Sequence, residues 1–370
     1  MRILLVSPAN VAHTMKWAAG LADRGIKVGV FTLAECDRKF YQEHNVKLFI
    51  FGLNKSVYKE ACGSLKKLRY LTYVHSLKKV IKEFNPDIVH AHYASGNGLL
   101  GALSGFHPYI VSVWGSDVYE FPQKSWIHKE ILKFNLKHAD RILSTSHVMA
   151  QETNRYTNKK IEITPFGVDM AVFKPMKPTI SLFKNDDIVV GTIKTLEEKY
   201  GVEYLIRAFA KVKLKLNDDH LKLLIVGDGS LRKKLEALAL NLGISESTLF
   251  TGKIPWMQVP MYDNLLSISV SVSTVDSESF GVAVIEASAC EKPVVVSDVG
   301  GLPEVVNDGV TGIIVPKCSI DKTAEAIEKL IVEEDMRLRM GRAGRMRVNK
   351  KYNWNDNLTQ MINIYEESLR

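Results

Sequence analysis

Short apolar runs alternate with amphipathic segments along most of this sequence. In the first half, runs typical of buried strands cover residues 3–7, 28–33, 87–89, 110–113, 141–145 and 161–164. Helical apolar spacing fills most of the intervals between them. The alternation predicts a parallel sheet whose strands are joined by right-handed helical crossovers. Ligands of such sheets bind at the carboxyl ends of the strands, which here carry polar and aromatic residues such as Asn10, His92, Trp114 and Asp117.

The pattern starts again in the second half, after a linker marked by Pro175 and Pro178. Further strand-like runs cover residues 188–191, 221–226, a stretch near 250, 268–275, 294–297 and 313–315. Helical apolar spacing is present at residues 204–214, in a segment that ends at residue 241, and at residues 321–347 and 354–369. Because 370 residues exceed what one hydrophobic core usually covers, two domains are expected.

The composition excludes several classes of protein. The net charge of +8 and a pI near 9.1 favour an anionic partner, but no helix-turn-helix, zinc or RNP pattern points to nucleic acid. No apolar run approaches the ~18 residues of a membrane span, and the first strand begins without a cleavable signal. The four cysteines are scattered with no C-x-x-C pair, which predicts reduced thiols in a cytoplasmic protein.

A basic amphipathic stretch covers residues 55–82. Lysines such as Lys66, Lys67, Lys78 and Lys79 interrupt leucines that recur at helical spacing. One interpretation is a helix that lies on an anionic membrane. The other is a core-packing helix with a solvated lysine face, and the sequence does not separate the two.

The segment 276–290 carries the strongest functional signal. It follows the apolar run 265–275 and becomes helical after a polar turn, in which Ser277 and Ser279 are candidate caps. The unpaired amides of a first helical turn, together with the helix dipole, suit a diphosphate. Glu278 and Glu286 flank this point, and carboxylates accept hydrogen bonds from sugar and ribose hydroxyls. The combination indicates a nucleotide sugar, whereas the two glutamates alone would more often be solvated charges on an ordinary helix.

Glu278-Ser-Phe-Gly-Val, with Glu286 eight positions on, resembles the signature of family-4 retaining glycosyltransferases (glycosyl transferase group 1). The later segments 291–297, 300–304 and 308–312 are similar to that family's next segments, in the same order. The resemblance implies the α/β GT-B fold, with two Rossmann-like doubly wound domains facing a central cleft. It places an acceptor-binding domain at 1–174 and a donor-binding domain at 175–351, with a C-terminal helix at 352–370 packing back on the first domain.

The resemblance also implies roles for donor-binding residues. Glu286 would hold the ribose and Glu278 the sugar, while Lys199 and three backbone amides would hold the diphosphate. Those amides belong to Phe280, Gly281 and Val282. Lys199 and Glu278 are therefore expected to be catalytic.

Further donor contacts are expected around this core, although some positions depart from the family pattern. Thr192 stands where the family has an arginine, and Lys194 is a candidate to replace that positive charge. Gly227 either approaches the donor or serves turn geometry alone. The loop of Lys253 and Ile254 resembles the one that receives the nucleobase. Asn10 lies where many members have paired glycines against the donor phosphate.

For the acceptor side, the resemblance points to His13, Trp114 and Asp117. Many members have a histidine at the position of Trp114, and indole is only a hydrogen-bond donor. Asp117 is then the catalytic candidate to orient or deprotonate an acceptor hydroxyl. Simple packing is the alternative role for Trp114.

The expected reaction is hexosyl transfer with retention from a nucleotide-diphosphate sugar to a hydroxyl acceptor. The acceptor would be a glycan or a lipid-linked saccharide of cell-envelope polysaccharide synthesis, at the inner face of the membrane. No bound cofactor and no metal are expected, because Lys199 and the helix start neutralise the leaving group and His90 and His92 lack further ligands.

Three other classes remain open at this point. A nucleotide-sugar 2-epimerase of the same shape would bind a similar donor, and a non-catalytic partner would bind nucleotide without turnover. An NAD oxidoreductase is least favoured, because Gly227-Asp-Gly-Ser230 lacks the third glycine of the dinucleotide fingerprint.

Overall fold

The computed structural model describes residues 1–52 and 72–370. Part of the basic stretch at 55–82, including Lys66 and Lys67, therefore lies outside the described residues. In the part of the chain that is described, no helix is both long enough and apolar enough to cross a membrane.

The first sheet contains seven parallel strands in the order β3-β2-β1-β4-β5-β6-β7. They are β1 Arg2–Val6, β2 Lys27–Thr32, β3 Lys47–Ile50, β4 Ile88–His92, β5 Tyr109–Val113, β6 Arg141–Ser144 and β7 Ile161–Ile163. The order reverses direction at β1, where Ile3 lies opposite both Val28 and Ile88. β3 was not predicted, because this edge strand begins with the exposed Lys47 and its residues form no continuous buried run.

Helices connect these strands on both faces of the sheet. Among the described residues they are α1 Ala12–Asp23, α2 Arg38–Glu43, α3 Thr72–Phe84, α4 Gly96–Ser104, α5 Ser116–Tyr119, α6 Trp126–His138 and α7 His147–Thr153. Leu77 of α3, Leu100 of α4 and Leu132 of α6 belong to one buried cluster with β1, β4 and β5. Because helices cover both faces, the central strands are apolar throughout rather than alternating.

The second sheet contains six parallel strands in the order β10-β9-β8-β11-β12-β13. They are β8 Ile188–Ile193, β9 Leu221–Val226, β10 Thr248–Gly252, β11 Ile268–Ser271, β12 Val294–Ser297 and β13 Gly312–Val315. The helices are α8 Val202–Leu216, α9 Arg232–Asn241, α10 Val259–Leu265, α11 Val282–Ala289, α12 Leu302–Val305, α13 Ile320–Val332, α14 Glu334–Lys351 and α15 Trp354–Ser368.

Two element predictions in this half differ from the structure. The strand expected at 268–275 ends at Ser271, because the chain leaves the hydrogen-bond ladder there, although Val272 and Ser273 are still buried. The helix expected at 321–347 is two helices, since Glu333, with φ −94° and ψ 78°, interrupts the helical backbone between α13 and α14.

The chain divides into two compact units, residues 1–165 with 357–370, and residues 166–356. The expected boundary follows residue 174, whereas this division falls after residue 165, because residues 166–173 make contacts in the second unit. The ring of Phe166 lies 5.7 Å from that of Phe280, and the Val168 amide donates to the Tyr352 carbonyl at 2.7 Å. In the same way α15 starts in the second unit and enters the first at Asn357, not at residue 352.

Candidate functional site

In the second unit, a polar loop leads from β11 to the start of α11. Gly281 is the N-terminal cap of α11, with no side-chain cap, so neither Ser277 nor Ser279 has the capping role expected of it. The first helix amide bonded to a carbonyl of this turn is that of Val284, which donates to Gly281 at 3.0 Å. The amides before it therefore point out of the helix start, where an anion is stabilised.

The glycine pair Gly300-Gly301 packs closely against the backbone of this loop. The Gly301 amide donates to the Glu278 carbonyl at 2.9 Å. A Cβ atom at Gly300 would overlap the same carbonyl, and one at Gly301 would overlap the carbonyl of Ser279. Only two residues without side chains allow the backbones to approach so closely, and this packing fixes the position of Glu278.

Glu278 forms an ion pair with Lys194, at 2.8 Å between Oε2 and Nζ. Their side chains are only 10% and 14% exposed, respectively. The Ser273 hydroxyl donates to the same carboxylate oxygen at 3.2 Å, and Nζ lies 4.6 Å from the centre of the Tyr200 ring. Burial alone lowers the pKa of Lys194, but the charge and hydrogen bond of Glu278, with smaller effects of Tyr200 and Glu286, raise it above its ordinary value. Lys194 is therefore charged at neutral pH.

Lys199 lies beside this pair. Its Nζ is 5.1 Å from the centre of the Tyr200 ring, on which Lys194 also lies. Its carbonyl accepts the Thr274 amide at 2.9 Å, which ties the loop after β8 to the loop after β11. Two lysines, one tyrosine and one glutamate thus meet at the carboxyl ends of neighbouring strands. Glu286 stands on α11 and contributes to the same electrostatic field.

Gly227 serves this site through the backbone. Its φ is 137°, and a Cβ atom there would overlap the carbonyl oxygen of Lys194. The Lys194 amide in turn donates to Val226 at 2.9 Å. The contacts favour turn geometry for Gly227, because they set the path of the chain that carries Lys194.

Three of the four remaining donor candidates, Thr192, Lys253 and Ile254, lie at the same edge of the second sheet. Thr192 is buried in β8, opposite Ile225, so the cation at this strand end comes from Lys194. Lys253 and Ile254 directly follow β10, with Lys253 exposed. Asn10 belongs to the first unit and is exposed in the turn after β1.

In the first unit, Trp114 is the centre of an aromatic cluster at the end of β5. Its ring lies 4.3 Å from that of His92, 5.0 Å from that of Tyr93 and 5.9 Å from that of His13. Trp114 is buried. The structure therefore brings two of the expected acceptor residues, His13 and Trp114, together with two aromatic residues that sequence reasoning did not assign to the acceptor.

Asp117, the residue expected from the sequence to orient or deprotonate the acceptor hydroxyl, accepts hydrogen bonds from backbone amides. Its Oδ1 accepts the amides of Gly115 at 2.8 Å and Trp114 at 3.1 Å, and its Oδ2 accepts the Ala94 amide at 2.7 Å. The side chain is buried, and burial raises its pKa although the three amides act in the opposite direction. Because both of its oxygens accept backbone amides, Asp117 holds the Trp114 loop in position.

We expect Asp117→Asn to lower the unfolding free energy by about 2–4 kcal/mol, because the amide NH₂ would face backbone donors and leave them unpaired. The exposed Asp335→Asn is the control and should stay within about 1 kcal/mol of the wild type. Chemical denaturation measures both. A folded, fully stable Asp117→Asn protein with lost turnover would restore the catalytic role.

The two histidines of β4, His90 and His92, form hydrogen bonds with hydroxyl groups. His90 contacts Tyr365 through Nδ1 and Ser112 through Nε2, both at 2.7 Å. His92 Nδ1 lies 3.1 Å from the Ser7 hydroxyl. Burial lowers the pKa of His90 to about 3, and burial, His90 and His13 lower that of His92 well below its usual value. Both rings are therefore neutral at physiological pH, and their contacts favour a structural role.

The depressed pKa of His90 predicts acid sensitivity. The unfolded pKa is about 6.5, so this contribution to stability is complete above that pH and is lost as the pH falls toward about 3. Over this window the wild type should lose about 1.4 kcal/mol per pH unit more than His90→Phe does. Urea unfolding at pH 7 and pH 5 measures the difference. An equal loss of unfolding free energy between pH 7 and pH 5 in the two proteins would contradict the lowered pKa of His90.

Sequence reasoning missed Ser273, Tyr200 and Tyr365. Tyr200 adjoins Lys199 in the sequence, so a search for rings beside phosphate-binding lysines would have found it. Tyr365 gave no signal, because its partner His90 lies 275 positions away in the chain. Ser273 lies only five positions before Glu278, but a serine at the end of an apolar run is too common to stand out.

Two family profiles match the sequence in succession. The profile described as glycosyl transferase 4-like matches residues 2–146, and that of glycosyl transferases group 1 matches residues 174–347. The first range contains the Trp114 cluster and the second contains the Lys194–Glu278 pair.

Individual proteins agree with the profiles. The N-acetyl-alpha-D-glucosaminyl L-malate synthase of Bacillus anthracis is 26% identical over 314 residues, covering 81% of this chain and 80% of that protein. A GDP-mannose-dependent alpha-(1-6)-phosphatidylinositol monomannoside mannosyltransferase of Mycolicibacterium smegmatis is 28% identical over 306 residues, covering 76% and 77%. The structure of Anabaena Alr3699/HepE in complex with UDP aligns with a TM-score of 0.82 at 17% identity, covering 99% of this chain and 100% of that one. With two parallel-sheet Rossmann-like units, these matches establish the GT-B fold.

Proposed function

The chain belongs to the glycosyltransferases of group 1, and from this premise we propose that it moves a hexose, with retention, from a nucleotide-diphosphate sugar to a hydroxyl acceptor. The observation that carries the proposal is the Lys194–Glu278 pair beside the start of α11. Cations and outward-pointing amides suit a diphosphate, and the carboxylates Glu278 and Glu286 suit the hydroxyls on either side of it.

In the proposed mechanism, the diphosphate binds the amides of Phe280, Gly281 and Val282, with Lys199 alongside. Sugar hydroxyls take over the Glu278 carboxylate from Lys194, which then turns its charge to the leaving phosphate. Stabilising the charge that develops on the leaving group is the main demand on the protein. The two lysines and the helix start supply this charge, so the proposed chemistry requires no metal.

On the acceptor side, the aromatic cluster around Trp114 would hold the incoming saccharide. Asp117 is occupied by backbone amides and His92 has a low pKa, so neither serves as a strong base. The proton of the attacking hydroxyl would therefore pass to the leaving diphosphate on the same face of the sugar, which matches retention. The protein's part is then to align the two substrates.

The acceptor that we favour is a lipid-linked saccharide of cell-envelope polysaccharide synthesis. The relative from Mycolicibacterium smegmatis is named for a phosphatidylinositol-linked acceptor, and the basic charge of this chain suits an anionic surface. We assign no nucleobase to the donor, because one matched protein is named with UDP and another with GDP-mannose.

A thermal-shift panel of UDP, GDP, ADP, TDP and their sugars tests donor binding. A ligand at about 100 times its Kd stabilises the folded state by about 2.7 kcal/mol, which raises the melting temperature of a unit of this size by about 5 °C or more. One base should stand out. No shift with any nucleotide would contradict the donor site. A shift accompanied by isomerised sugar without acceptor would identify an epimerase, and nucleotide binding without turnover of any kind would identify a non-catalytic partner.

We expect Lys199→Ala to reduce kcat/KM for the donor by about 10- to 100-fold, because one diphosphate contact is lost. Lys350→Ala, which removes an exposed lysine of α14, is the matched control. Nucleotide release in the presence of acceptor measures both. Activity that vanishes with EDTA and returns with Mg²⁺ would contradict the metal-independent part of the mechanism.

A further inference from the structure

Helix α6 has an unusual solvent-facing side. Its buried side carries Leu132, Asn135 and Leu136. The opposite side, which we call the outer face of α6, carries both large apolar residues and charges. These residues are Trp126, Ile127, Glu130, Lys133, Phe134 and Lys137.

The apolar members of this face are strongly exposed. Trp126 is 75%, Ile127 48% and Phe134 36% accessible to solvent. Single exposed apolar residues are common on any protein. Three on one face of one helix, with a tryptophan at its start, form a patch of the kind that binds another apolar surface.

The charges around the patch indicate which surface that is. Lysines outnumber acids on α6 and just before it: Lys124, Lys129, Lys133 and Lys137 against Glu130. Helix α3 packs into the same buried cluster as α4 and α6. It adds the exposed lysines Lys78, Lys79 and Lys82. A second copy of this face would bring like charges together, whereas an anionic bilayer complements both the lysines and the apolar residues.

We propose that the outer face of α6 inserts into the interface of an anionic membrane, with Trp126 and Ile127 as the deepest residues. The surface differs from the stretch at 55–82 that the sequence singled out, because the large exposed apolar side chains stand on α6. The lysines of α3 contribute charge to the same surface. This proposal concerns binding alone and does not depend on the proposed chemistry.

The topology gives this surface a consequence for the acceptor. α6 follows the loop that leaves β5 and runs back before β6, so Trp126 lies at the carboxyl edge of the sheet, as Trp114 does. Asn135 Nδ2 donates to the carbonyls of Ala94 and Ser95 at 2.7 and 3.0 Å. The Ala94 amide donates to Asp117. A membrane bound at α6 would therefore lie next to the end of the first unit where the Trp114 cluster stands.

Flotation with vesicles of phosphatidylcholine, with and without phosphatidylglycerol, tests the proposal on the full chain. The wild type should float with the anionic vesicles. Trp126→Ser/Ile127→Ser should reduce partitioning at least about tenfold, because two interfacial side chains are lost. The matched control is Leu214→Ser, which removes an exposed apolar residue of the second unit and should leave partitioning unchanged.

The charge contribution has its own pair of variants. Lys129→Ala/Lys137→Ala should lose roughly fivefold per lysine, and a rise from about 0.1 M to 1 M salt should weaken the wild type in the same way. Lys350→Ala/Lys351→Ala is the control in the second unit. Circular dichroism melting checks that each variant folds.

Two results would overturn the proposal. One is a wild type that stays with the soluble fraction in anionic vesicles, or a Trp126→Ser/Ile127→Ser protein that floats like the wild type. The other is a wild type that self-associates in sedimentation equilibrium while the double variant is monomeric and neither floats, which would make this face an interface between copies.

Discussion

Glu278→Gln should lower kcat/KM for glycosyl transfer by about 100- to 1000-fold, which is the range for losing one preorganised electrostatic contact to a transition state. Two effects act together. Glutamine keeps the size of the side chain but removes the charge that receives the sugar hydroxyls. It also removes the partner of Lys194, whose pKa Glu278 holds up against burial, so the pKa of this buried lysine would fall.

The measurement is nucleotide release at several donor concentrations, with a thermal melt run beside it. A melting temperature within a few degrees of the wild type would show that the lost rate comes from chemistry. Glu246→Gln, which removes an exposed carboxylate of the same unit, is the control. Wild-type turnover in Glu278→Gln would remove this residue from the site.

Gly227→Ala should destabilise the second unit by at least about 3 kcal/mol, as expected where a new atom meets backbone at a positive φ. The methyl group would overlap the Lys194 carbonyl, and no rotamer change relieves a clash with backbone. The chain that carries Lys194 would have to move, so donor affinity should fall together with stability.

Gly243→Ala separates the clash from the strain. Gly243 has φ 71° with no atom within 4 Å of an added Cβ, so alanine there should cost only about 1 kcal/mol. Denaturant unfolding of both variants, with donor binding measured on the folded fraction, gives the comparison. Equal losses for the two glycines would show that the contact with Lys194 has no effect.

The fold was largely predictable because its strands are buried on both faces. β9 and β12 were predicted residue for residue, since each is mostly apolar and buried and is bounded by turn residues. The errors came where a residue is buried, or fits the apolar spacing, but does not take part in the regular backbone hydrogen bonding of a strand or helix. Residues 272–273 are buried but lie outside the strand ladder that ends at Ser271. Glu333 interrupts the helical backbone although the apolar spacing continues on both sides of it.

The site was predictable as a set of charges near strand ends, but not as a set of contacts. Lys194 and Glu278 were both singled out, yet 84 positions separate them, and only tertiary structure pairs them. Asp117 shows the opposite case. An aspartate after a strand end has the same sequence pattern whether it faces solvent or three backbone amides, so its positioning role needed the coordinates.

The division of the chain has a consequence for biosynthesis. Residues 357–370 complete the first unit, with Tyr365 bonded to His90 inside it, but the ribosome makes them only after the roughly 190 residues of the second unit. At roughly 5–20 residues per second, the nascent first unit waits about 10–40 s for its final helix. Throughout that interval the side of the sheet that carries His90 lacks the helix that packs on it, so we expect the first unit to reach its full stability only after the chain is complete.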